Sequence, residues 1–132
     1  MAVLPTVRYM ILCEDWAVDI INPRRINIFG LLSNIHSVDF PAYPLLYKEM
    51  CVFLALAEVR GTATARIVCL FEETGQCVFE TSERSIAFRN DPLEVVAVPF
   101  RIRDCIFPQK GIYLLQFWYN NYLVEEKPLR LR

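Results

Sequence analysis

The sequence has 132 residues, with 14 lysines and arginines against 15 aspartates and glutamates and a net charge of -1. That is one domain's length, enough to bury a core without metal or disulfide support, and the balanced charge offers no basic field for a phosphate backbone, so no nucleic-acid partner is expected. Hydrophobic residues reach 55%, yet no run attains the roughly 18 uninterrupted apolar residues of a spanning helix; no membrane span is expected, and the surplus apolar surface is expected to meet protein.

The opening Met1-Ala-Val-Leu-Pro-Thr-Val-Arg8 lacks the basic, apolar, then small layout of a secretory signal. Taken as the native start, it predicts a cytoplasmic protein. Residues 6–13 alternate, with Val7, Tyr9, Ile11 and Cys13 on one side, and form a first strand that Glu14-Asp15-Trp16 ends. Asn22-Pro23 marks a turn in the link that follows, because a residue before proline is pushed out of the helical region. Residues 25–35 read as a second strand, in which Gly30 signals a bulge or a close backbone approach. Pro41 and Pro44 exclude a stable helix across their span, which reads as an extended crossover closed down by Phe40, Tyr43 and Tyr47.

Residues 50–57, Met-Cys-Val-Phe-Leu-Ala-Leu-Ala, form the most apolar run, with the length of a strand covered on both faces. Arg60-Gly61 turns the chain into a strand that alternates Ala63, Ala65, Ile67, Cys69 and Phe71 inward, and Glu72-Glu-Thr-Gly75 then makes a tight hairpin into residues 76–81. Residues 82–88 suit a short strand or an irregular link equally. After the Asn90-Asp91-Pro92 turn, residues 94–103 carry Pro99, which has no N–H for a ladder, together with Arg101 and Arg103; these place the strand at an edge or bulge.

The last 25 residues read as a hairpin around Asn120-Asn121, a pair that tolerates the positive φ of a type I′ turn. That turn sets Tyr119 opposite Tyr122, Trp118 opposite Leu123 and Phe117 opposite Val124. Tyr113 sits where a sandwich tyrosine can turn back onto nearby backbone. Short strands spaced by turns, without helical periodicity, predict an all-β chain: one immunoglobulin-like antiparallel β-sandwich of seven or eight strands spanning residues 1–132. A small closed β-barrel is the competing architecture.

The layout of Ile11-Leu-Cys-Glu-Asp15, then residues 26–35, Phe40-Pro41, and the closing Gly111-Ile-Tyr and Pro128-Leu129 resembles a group of small bacterial proteins known only as a domain of unknown function. The resemblance implies a bacterial β-sandwich and brings no activity or catalytic residues.

Chemistry is thinly represented. His36 is the lone histidine, and the nearest cysteine in sequence, Cys51, lies across the proline-rich link. The five cysteines, Cys13, Cys51, Cys69, Cys77 and Cys105, form no C-x-x-C pair and read as small hydrophobes kept reduced, without zinc spacing. No cofactor is expected, since the four glycines stand singly and build no phosphate loop.

Three functions follow. The first is a non-enzymatic interaction module, a homo-oligomer or a partner-docking domain, using the outward side chains Ile112, Leu114, Trp118 and Leu123. The second is a small-ligand or calcium-binding sandwich with a polar pole near Glu14, Asp15 and Asp91. The third is an enzyme, which needs His36 or a carboxylate to meet a second polar group in a concave site.

Overall fold

Alternating apolar residues on many short segments leave two greasy sheet faces, and burying both at once requires stacking one sheet on another. The computed structural model describes residues 4–36, 41–59, 61–87 and 95–132. Among these, ten strands run in chain order: β1 (Thr6–Val18), β2 (Ile26–Leu31), β3 (Asn34–Ile35), β4 (Leu45–Ala57), β5 (Thr62–Phe71), β6 (Cys77–Glu80), β7 (Arg84–Ala87), β8 (Val96–Phe107), β9 (Gly111–Tyr119) and β10 (Tyr122–Leu131). One sheet has the order β2-β1-β4-β8 and the other β3-β10-β9-β5-β6, with β7 beside β6 along the same edge of β5. The result is a β-sandwich, not a closed barrel.

The core follows the alternation. Met50, Val52, Leu54 and Leu56 of β4 face Ile67, Cys69 and Phe71 of β5 and Tyr113, Leu115, Phe117 and Tyr119 of β9 across the sandwich. The intervening β4 residues Cys51, Phe53 and Ala55 join Cys13 in a smaller cluster on the other side of the sheet, so the run 50–57 is covered on both faces. The Tyr113 ring packs 5.0 Å from Phe71 and 5.1 Å from Phe107, and its hydroxyl donates to the Gln109 carbonyl at 2.7 Å. This ties the turn before β9 to the core.

Several details depart from the sequence reading. β1 does not stop at Glu14-Asp15-Trp16 but continues to Val18, pairing Asp15 with Phe29 and Val18 with Ile26. Glu14 and Asp15 are exposed, so their carboxylates keep their solvation and the strand can run through them. The second strand is divided: Ile26–Leu31 stays beside β1, whereas Asn34–Ile35 crosses to the other sheet and runs parallel to Arg130 and Leu131. This split, and β7 where residues 82–88 suited a strand or a link equally, raise the strand number above seven or eight.

In the last hairpin, Asn120 and Asn121 have φ of 47° and 64°, as the turn demands. Tyr119 opposes Tyr122 and Trp118 opposes Leu123, but a register shift follows, so Phe117 faces Glu125 instead of Val124. The extra residue lets Val124 pack against the core. Pro99 lies on β8, at the rim of its sheet, as its missing N–H requires. The Asn90-Asp91-Pro92 turn, Arg60 and Phe40 lie outside the described residues.

Candidate interaction surface

Ile112, Leu114 and Trp118 alternate with the core residues of β9 and lie on its outer side, half-buried, with Leu123 opposite Trp118 and 44% exposed. Their surface is laced with polar groups. The Arg66 guanidinium lies 5.0 Å over the Trp118 ring and pairs with Glu80 at 3.0 Å and Glu83 at 3.7 Å. Trp118 Nε1 donates to Gln116 Oε1 at 3.1 Å, and Gln116 Nε2 donates to Glu126 Oε2 at 2.7 Å. A cation over an indole face covers it much as another side chain would. Much of the apolar excess on this face is therefore shielded by the chain's own Arg66 and Gln116.

The suspected polar pole is differently arranged. Asp15 accepts the Trp16 N–H at 2.8 Å and pairs with Arg101 at 3.0 Å; the amide first and the guanidinium second hold its carboxyl below the usual range. Arg101 also donates to Glu49 at 2.8 Å, so one cation bridges two carboxylates. Glu14 accepts from the Tyr47 hydroxyl at 3.4 Å and its side chain crosses Gly30, where a Cβ would stand 2.7 Å from Glu14 Cγ. Gly30 thus marks a close approach at φ +63°, as its place in the strand implied. Asp91, the third suspect, lies outside the described residues. Among the described residues no three His, Cys, Asp or Glu side chains converge on a metal-sized site. His36 is exposed just past β3.

The feature the sequence reading passed over is the tip of the β1–β2 hairpin. Asp19 accepts the N–H groups of Ile21 at 2.9 Å and Asn22 at 3.1 Å, while the Asp19 N–H donates to the Arg25 carbonyl at 2.8 Å. Those two amides, Asn22 first, also depress the Asp19 carboxyl. Asn22 Oδ1 accepts from the Arg24 N–H at 3.2 Å. These bonds fix a turn in which Ile20 and Ile21 are 99% and 94% exposed. The signal was legible as two isoleucines trapped between the turn formers Asp19 and Asn22-Pro23.

Below the tip, Trp16 packs 5.6 Å from Phe53, and Arg24, Ile26 and Ile28 overhang the outer face of β4 and β8. The space between is an open groove of 360 Å³, floored by Ile11, Phe53, Ala55 and Ala97. Its lining is mainly apolar, with Tyr9 and Arg24 as the polar exceptions, and among the described residues it holds no carboxylate or histidine for acid–base work. Such a surface can bind by excluding water from aliphatic and aromatic side chains.

Among curated proteins none matches the sequence. Among solved structures, the Pseudomonas fluorescens alkylpurine DNA glycosylase AlkC bound to DNA containing an abasic site analog aligns with a TM-score of 0.48 and 10% identity. The alignment covers 76% of this chain but spans only 28% of that one. A family described only as a family of unknown function, DUF6941, matches residues 8–132, and the chain belongs to it.

Proposed function

We propose that this chain is a non-enzymatic protein-interaction module that self-associates in the cytoplasm, built on an immunoglobulin-like sandwich. The immunoglobulin-like reading is supported by β1, β4 and β8 lying in one sheet, β5, β9 and β10 in the other, β3 running parallel to β10, and the Tyr113 hydroxyl bonded to Gln109 at the start of β9. A reducing compartment is supported by five free thiols, among them Cys13 and Cys51 side by side on β1 and β4.

The observation that carries the interaction reading is the hydrogen-bonded turn presenting Ile20 and Ile21 to solvent beside an apolar groove. Exposed aliphatic side chains on an ordered turn are pre-organised for contact, because little freedom remains to be lost on binding. The outer face of Ile112, Leu114, Trp118 and Leu123 is the second candidate, less apolar because Arg66 and Gln116 intervene.

Light scattering across a concentration series tests both. Self-association that is abolished by Ile20→Asp with Ile21→Asp, and retained by Trp118→Asp, supports the hairpin surface. The reverse pattern assigns the contact to the outer face of β9. A strict monomer at high concentration overturns self-association.

A further inference from the structure

Resting on that self-association, we propose that the contact is made by strand addition: β2 pairs antiparallel with β2 of a second copy across a two-fold axis, joining two four-stranded sheets into one of eight strands. The free edges of the sheets are unequal, and β2 is the least defended of those compared among the described residues. β8 carries Pro99, Arg101 and Arg103, and Asp104 at φ 53° kinks its rim. The exposed side of β10 carries Glu125, Glu126, Lys127 and Pro128 and is closed at its end by β3. β6 has four residues. Prolines, charges and shortness are how sheets discourage pairing with a second chain.

β2 carries neither charge nor proline, and its one positive-φ residue, Gly30 at φ +63°, stands next to last and leaves Ile26–Phe29 without a kink. It reads Ile26-Asn-Ile-Phe-Gly-Leu31 and pairs with β1 along one side. Its other side presents every second N–H and C=O to whatever approaches, and those groups are met in full by another extended strand. Phe29 and Leu31 are 51% and 71% exposed along it.

Charge selects a second copy as the strand. A two-fold contact sets each residue against its own kind near the axis, so a charged edge would repel itself; β2 has no charge to repel. Centred on Ile28, the pairing sets Ile26 opposite Gly30 and Arg25 opposite Leu31 of the other copy. The same arrangement carries the apolar tip at Ile20 and Ile21 toward the far end of the partner's β2.

The test uses the full chain with Leu31→Lys and Leu31→Glu, since Leu31 is exposed enough for either to fold. Leu31→Lys sets two lysines against two Arg25 side chains and should raise the dimer dissociation constant about tenfold or more. Leu31→Glu should leave it unchanged or lower it, and Arg25→Glu combined with Leu31→Lys should restore wild-type affinity. Hydrogen exchange should show β2 amides slowing as concentration rises. A dimer indifferent to all three variants, with β2 amides exchanging at a concentration-independent rate, overturns strand addition and leaves self-association through another surface. A monomer at every concentration overturns both.

Discussion

Replacing Tyr113 with phenylalanine isolates one bond. The ring is fully buried between Phe71 and Phe107, and Phe fills the same space, so packing is preserved. What is lost is the 2.7 Å hydrogen bond to the Gln109 carbonyl and a long 3.4 Å contact accepted from the Gln109 N–H. A typical hydrogen bond contributes about 0.5–1.5 kcal/mol net, and the higher cost of a stranded buried group is avoided because Gln109 is exposed and its carbonyl can turn to water. We therefore expect Tyr113→Phe to cost about 1 kcal/mol, against about 3–5 kcal/mol for Tyr113→Ala, which also empties the ring's place. In urea melts, with a slope of about 2 kcal/mol/M, the phenylalanine variant should lower the midpoint by about 0.5 M at unchanged slope. No shift would mean the hydroxyl has no net value in closing the corner. A loss above about 3 kcal/mol would mean that it organises the ring packing itself, and either result refutes the reasoning.

Glycine substitutions separate strain from collision. Gly111 has φ +139° and a Cβ there would stand 2.8 Å from Phe71 Cε1, so Gly111→Ala should cost about 1–3 kcal/mol in the same melts, whereas Gly61→Ala, at φ +72° with nothing within 4 Å, should cost about 1 kcal/mol from backbone strain alone. Equal losses would contradict the Phe71 contact. A thiol reagent at neutral pH should label one cysteine per native chain, the exposed Cys77, and reach Cys13, Cys51, Cys69 and Cys105 on unfolding; prompt labelling of two or more would show that the sheets open. Burial pushes the Cys51 and Cys105 thiols from 9.0 up to about 12, and raises the phenols of Tyr113 and Tyr119 as well. A raised folded value means stability that is complete below pH 9 and is lost as the pH climbs toward 12, so urea midpoints should fall across that window and Cys105→Ala should flatten the fall. A flat profile would contradict the burial.

The sandwich was legible because its strands obey a two-residue period: Ala63 through Phe71 and Tyr113 through Tyr119 each name their inner face by alternation alone. Pro99 named an edge because a missing donor is a covalent fact, and Asn120-Asn121 named a turn through their tolerance of positive φ. What escaped the sequence depended on partners far along the chain. Trp118 reads as exposed aromatic surface until Arg66 is seen above it, 52 residues earlier. The passage of the chain between sheets at Leu32 and Ser33 has no local signature, since both halves of residues 25–35 favour a strand. The hairpin tip is hidden because Asn22-Pro23 marks a turn without showing that the turn leaves Ile20 and Ile21 in solvent.

The parallel pairing of β3 with β10 has a mechanical consequence. Arg130 donates to the Ser33 carbonyl and Arg132 to the Ile35 carbonyl, while the Tyr43 hydroxyl reaches the Arg132 carbonyl at 2.8 Å. Tension drawn along β10 from its far end loads these bonds side by side, in shear, so they must fail together instead of peeling one after another. Residues 130–132 thereby act as a latch between the end of β10 and the segment that carries the chain from one layer to the other.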